Sequence, residues 1–114
     1  MHEYPITQQI VKLAVESAEE NKAAGITKIS LVVGEMTGFV GDSIKMYFDA
    51  IAEGTLAEGA ELCIRYVKPK LRCTNCGEYF ERQKYSFTCP GCNGQGVPTE
   101  IGKEFYIEDI EIEG

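Results

Sequence analysis

The sequence predicts an α+β fold, in which two helices pack on a small three-stranded mixed sheet and a four-cysteine hairpin is inserted before the last strand. Three observations carry this expectation. Apolar residues recur at helical spacing between Ile6 and Ala18. Alternating, β-branched segments stand at 26–34, 60–67 and 104–113. Between the second and third of these lie Cys73-Thr-Asn-Cys76 and Cys89-Pro-Gly-Cys92, two pairs with twelve residues between them.

In the first helix, Ile10, Leu13 and Ser17 fall with Val11, Ala14 and Ala18 on one side, while Gln8, Gln9, Lys12, Glu16, Glu19 and Glu20 take the other. Pro5 suits a first turn, where its missing N–H costs nothing, and Ala24-Gly25 closes the far end. Ile26 to Gly34 reads as a strand with Ile29, Leu31 and Val33 buried. The glycines at 34, 38 and 41 mark a loop. It has neither a Gly-Lys-Ser/Thr ending nor dinucleotide spacing, which argues against a phosphate cradle. Gly41 or Asp42 opens a second helix with Ile44, Tyr47, Phe48 and Ile51 on one side, and Gly54 ends it.

Ala60 to Val67 forms the second strand, with Leu62, Ile64 and Tyr66 sharing a face, and Pro69 stops it. Cys63 has no histidine near it in sequence and reads as a small packing residue. In the last strand Phe105 and Ile107 share one parity while Ile110 and Ile112 share the other, so a bulge near Glu108-Asp109 would turn all four to the core. A strand following the hairpin finds its partners in the earlier sheet. The hairpin is therefore an insertion, dividing the chain into one domain of residues 1–69 with 97–114 and another of 70–96.

The net charge of −7 is unevenly spread over the 114 residues. Residues 65–96 carry six basic and two acidic side chains, against an acidic excess on both sides. That basic stretch raises an alternative reading, a zinc-ribbon nucleic-acid-binding or transcription-associated module. The acidic whole would repel phosphates, and nearby cations have another use, offsetting the −2 of a four-thiolate zinc site. The expected partners thus exclude nucleic acid. No apolar run approaches membrane-spanning length, which excludes a membrane, and the polar start is unlike a secretory leader, so the chain reads as cytoplasmic.

The cysteine spacing matches a four-thiolate metal site. Zinc takes four soft ligands at tetrahedral corners, and two-residue gaps let each pair grip the ion from a tight turn. Glycines beside the pairs, Gly77 and Gly94 among them, let backbone N–H groups approach the sulfurs. Paired disulfides belong to short secreted chains, and a redox dithiol needs no second matched pair. Iron also accepts four sulfurs, so a rubredoxin-like electron carrier stands beside the zinc reading. An enzyme is disfavoured: no nucleophile has a partnered histidine, and four cysteines saturate the metal they hold.

His2 is the single histidine, between Met1 and Glu3. A lone histidine near a terminus is ordinarily solvated. Here the terminal amine, the His2 amide and the imidazole can close adjacent chelate rings, and the Glu3 amide can complete a planar set suited to Ni(II) or Cu(II).

Met1-His2-Glu3, the strand end Val33-Gly34-Glu35, the two cysteine pairs and the acidic last strand together resemble the HypA/HybF family, accessory proteins of nickel insertion in hydrogenase maturation. The resemblance spans the chain in order. It implies that Met1, His2 and Glu3 form the nickel site, with nickel as transient cargo, and that Cys73, Cys76, Cys89 and Cys92 hold a structural zinc in a ribbon-like hairpin. It also implies two partners, a GTPase accessory protein of the pathway and the precursor of the hydrogenase large subunit that accepts the metal. A hairpin inserted between strands can exchange between chains, so a monomer and a swapped dimer are both open.

Overall fold

The computed structural model describes residues 3–82 and 86–114. Its elements run α1 (Glu3–Glu20), β1 (Gly25–Gly34), a 3-10 turn (Glu35–Thr37), α2 (Gly41–Ala52), β2 (Glu61–Val67), β3 (Leu71–Cys73), β4 (Tyr79–Phe80), β5 (Gly96–Pro98) and β6 (Phe105–Glu113). They form two three-stranded sheets, ordered β2-β1-β6 and β4-β3-β5. Neighbours β1 and β2 are joined through α2, the kind of crossover a parallel pair requires, whereas β6 returns beside β1 after the cysteine segment. Two compact units result: Met1–Val32 with Phe39–Arg65 and Tyr106–Gly114, and Val33–Gly38 with Tyr66–Phe105.

The first unit is held by apolar burial. α1 turns Thr7, Ile10, Val11, Ala14 and Ala18 inward, and α2 contributes Ile44, Phe48 and Ala52. Because β1 is the central strand, Ile29, Leu31 and Val32 are all fully buried, on both of its faces. Each such side chain contributes about 1.5–3 kcal/mol relative to exposure. Tyr4 and Tyr47 add an edge-to-face pair at 5.2 Å between the two helices. Among the described residues no helix is long and apolar enough to cross a membrane.

Three expectations are corrected. Leu13 is 46% exposed. At ~100° per residue it lies roughly 115° from the centre of the stripe that Thr7, Ile10, Val11, Ala14 and Ala18 define. The helix does not run on to Ala24-Gly25. Lys22 adopts φ +55°, its N–H donates to the Glu19 carbonyl at 3.0 Å, and the Ala23 N–H donates to the Ala18 carbonyl at 2.9 Å. This pair of bonds is a Schellman stop with lysine at the left-handed position. Gly25 instead opens β1, where an added Cβ would come within 2.9 Å of the Glu113 carboxylate. Ile112 is also exposed, since it lies on an outer strand of its sheet.

In the second unit β3 is the axis. It pairs antiparallel with β4 through Leu71↔Phe80 and with β5 through Arg72↔Val97, closing over a small cluster of Leu71, Cys73, Phe80 and Cys89. Two backbone bonds fasten the segment 34–38. Gly34 donates to the Glu104 carbonyl and Met36 to the Gly102 carbonyl, both at 2.7 Å. The approach is so close that a Cβ on Gly34 would lie 2.1 Å from the Gly102 oxygen. Gly102, at φ +104°, in turn has no room for a Cβ beside Pro69.

Candidate metal centre

Each cysteine pair sits on a tight turn whose last residue takes the left-handed conformation. After Cys76 this residue is Gly77 (φ +78°), whose N–H returns to the Cys73 carbonyl at 3.0 Å. After Cys92 it is Asn93 (φ +64°), whose N–H returns to the Cys89 carbonyl at 2.9 Å. β3 leads into the first turn, and the bridge Thr88↔Gln95 frames the second. Local turn chemistry thus aims both thiols of each pair to one side.

The two turns bring all four sulfurs within 4.8 Å of one another, with Cys73 and Cys92 3.3 Å apart and Cys76 and Cys89 3.8 Å apart. The cysteines are free thiols. A tetrahedron of sulfurs ~2.3 Å from a central zinc has edges of roughly 3.8 Å, so the spacing fits such an ion. Donors to the sulfurs are in place. The Asn75 and Cys76 N–H groups point at Cys73 Sγ, each at 3.4 Å, and Asn75 Nδ2 reaches Cys92 Sγ at 3.6 Å. Gly94 is the close-approach position: a Cβ there would fall 2.7 Å from Cys73 Sγ and 2.8 Å from the Asn75 side chain.

The thiols differ in acidity. Asn75, then Cys73 and the Gly94 N–H, favour the Cys92 thiolate and draw that group down to about 6. Cys76 moves the other way, to about 12: the Glu78 N–H favours its thiolate but is outweighed by Cys92, by burial and by the Cys73 and Cys89 thiols. Crowded thiols cannot all ionise without a cation among them, and a bound metal ion would supply that positive charge. Cys63 stands apart from this group. Burial and neighbouring Glu61 push its thiol up, in keeping with a packing role.

The profile of the family described as "Hydrogenase/urease nickel incorporation, metallochaperone, hypA" matches residues 1–112. The chain belongs to the HypA family. The hydrogenase maturation factor HypA of Caldanaerobacter subterraneus subsp. tengcongensis is 50% identical over 114 residues, covering 99% of this chain and all of that one. Two solution structures share the fold at 25% identity. The Ni metallochaperone HypA from Helicobacter pylori superposes with a TM-score of 0.68 over 100% of this chain and 99% of its own. A second HypA structure gives 0.74 over 98% and 96%. The family is one of metallochaperones, carriers of a metal, and the four-cysteine cluster of this chain is an arrangement that can hold a metal ion.

Of the tripeptide that resembles the HypA start, Met1 and His2 lie outside the described residues, so Glu3 alone can be placed. Its side chain is 8% exposed and turned inward, where Oε2 accepts the N–H of Val40, the residue preceding α2, at 3.1 Å. Its carbonyl accepts the hydroxyl of Thr7 one turn on. The Glu3 carboxylate is thus occupied in tying the start of α1 to the start of α2. Sequence reasoning missed this contact, and it missed Asn75 as a donor to sulfur. An asparagine inside a Cys-x-x-Cys turn was a usable signal for the second; nothing in the sequence pairs position 3 with position 40.

Proposed function

We propose that the chain binds Ni(II) at its N-terminus, through the Met1 amine, the His2 amide and imidazole and the Glu3 amide, and helps insert it into the [NiFe]-hydrogenase large-subunit precursor. The observation that carries this reading is the closed cysteine cluster in a member of a nickel-incorporation family. Four sulfurs fill a tetrahedral shell and leave no position open for exchange, so a cargo metal needs a different site. The tripeptide offers one with harder nitrogen donors suited to Ni(II).

Zinc is the ion best matched to the cysteines, held by Cys73, Cys76, Cys89 and Cys92, and its contribution there is structural. The protein works in the cytoplasm with a GTPase accessory protein of the same pathway as partner. Residues 1–69 with 97–114 form the nickel-handling domain, and 70–96 the zinc-binding one. The inward Glu3 carboxylate supports the division of labour at the terminus, leaving the backbone amide to the metal.

Titrating zinc-loaded protein of native N-terminus with nickel tests the reading. Loss of nickel binding in His2→Ala, and in a chain with residues added before Met1, is the expected result. Unchanged affinity in both would rule the terminal site out.

A further inference from the structure

The second unit holds a cavity of about 200 Å³ lined by Met36, Pro69, Lys70, Leu71, Arg82, Phe87, Pro98 and Thr99. We propose that it is the docking site of an acidic peptide segment of a partner protein, which inserts one large apolar side chain between Lys70 and Arg82.

Size decides against a free small molecule. Pockets for such ligands run to about 300–1,000 Å³, and this one matches a single leucine- or phenylalanine-sized side chain. Chemistry decides the neighbours of that side chain. The floor and walls are apolar, and among the described residues the two charged lining groups are both cations and no carboxylate lines the cavity. This is a local inversion in a chain of net charge −7. A cationic rim in an otherwise acidic protein favours an acidic partner and disfavours another stretch of positive charge. Nucleic acid is poorly matched, because the whole molecule repels it and a one-side-chain cavity gives bases no stacking platform.

The walls are also fixed before any partner arrives. Met36 is 52% exposed yet held by its backbone bond to Gly102, and Gly102 packs against Pro69. Thr99 donates to the Lys70 carbonyl at 2.7 Å and accepts the Ile101 N–H at 3.1 Å. Arg82 lies over the Phe87 ring at 4.5 Å, which keeps the guanidinium at the rim while Phe87 stays 42% exposed. An exposed apolar surface on a rigid frame loses little entropy on binding, the condition under which a small site can be useful.

The test uses the full, metal-loaded chain and a synthetic peptide with one phenylalanine between two pairs of glutamates, read by amide chemical shifts. The expected result is a saturable shift centred on Leu71, Arg82, Phe87 and Thr99. It should weaken with added salt and fall about tenfold in Arg82→Glu, the loss of one charge-assisted contact. Met36→Asp, a second surface change, should weaken it as well, whereas His2→Ala should leave it intact, which separates this site from nickel binding. Four results would overturn the proposal. These are no shift at millimolar peptide, equal shifts from a peptide with lysines in place of glutamates, equal shifts from one with alanine in place of phenylalanine, and the same residues shifting on dilution alone, which would mark a second copy as the occupant.

Discussion

The two units reach order by different means. The first buries Ile29, Leu31, Val32, Ile44 and Phe48 to 1% exposure or less, and its helices and central strand support one another through ordinary hydrophobic packing. The second has strands of three, two and three residues and a cluster in which two of the four buried members are cysteines. Strands that short are not stable alone, and a core that small cannot offset the chain entropy of ordering the loops around it. Its four clustered sulfurs are placed where a bound metal would supply what burial does not. The contrast sets a unit ordered by an apolar core against one whose small buried cluster is half cysteine.

Removing the metal should break the comparison most visibly. Structural zinc contributes about 10–16 kcal/mol in small cysteine modules. Chelation, or Cys73→Ser, is therefore expected to abolish hydrogen-exchange protection across 71–98 while the helices keep their circular dichroism signal and the amides of β1 at 26–32 stay protected. Collapse of both signals together would show that the first unit depends on the metal too.

A core truncation should do the reverse. Phe48→Ala removes a fully buried ring and is expected to cost about 3–5 kcal/mol, seen as a lowered denaturation midpoint, with metal content unchanged by elemental analysis. Loss of the metal in this variant would mean that the units are energetically one.

The smallest effect belongs to the helix stop. Lys22 pays a steric cost at φ +55° that glycine would avoid, so Lys22→Gly should stabilise the first unit by about 1 kcal/mol. No gain in the thermal midpoint would show that the lysine side chain compensates elsewhere.

How far the sequence revealed all this follows the same division. The helical period of α1 and the apolar run of β1 were legible because burial imposes them, and β2 and β6 by their β-branched content. Reading failed where exposure is set by position in the sheet or on the helix, as at Ile112 and Leu13. It failed again where a left-handed residue was not glycine, as at Lys22. The cysteine site was legible from spacing, since turn geometry alone brings each pair together. Its fine structure was not: β4 and β5 are too short to show a pattern, and the Gly34–Gly102 crossing and the Glu3–Val40 bond join residues far apart in sequence. The tripeptide was noticed by chemistry and by resemblance, with no structural periodicity to announce it.

In the proposed function, two metals are handled by two different sets of donors. X-ray absorption on protein of native N-terminus, loaded with equimolar zinc and nickel, tests it directly. Four sulfur neighbours at the zinc edge, at ~2.3 Å, and only nitrogen or oxygen neighbours at the nickel edge are the expected result. Sulfur around nickel, with zinc displaced from the cysteines, would contradict it.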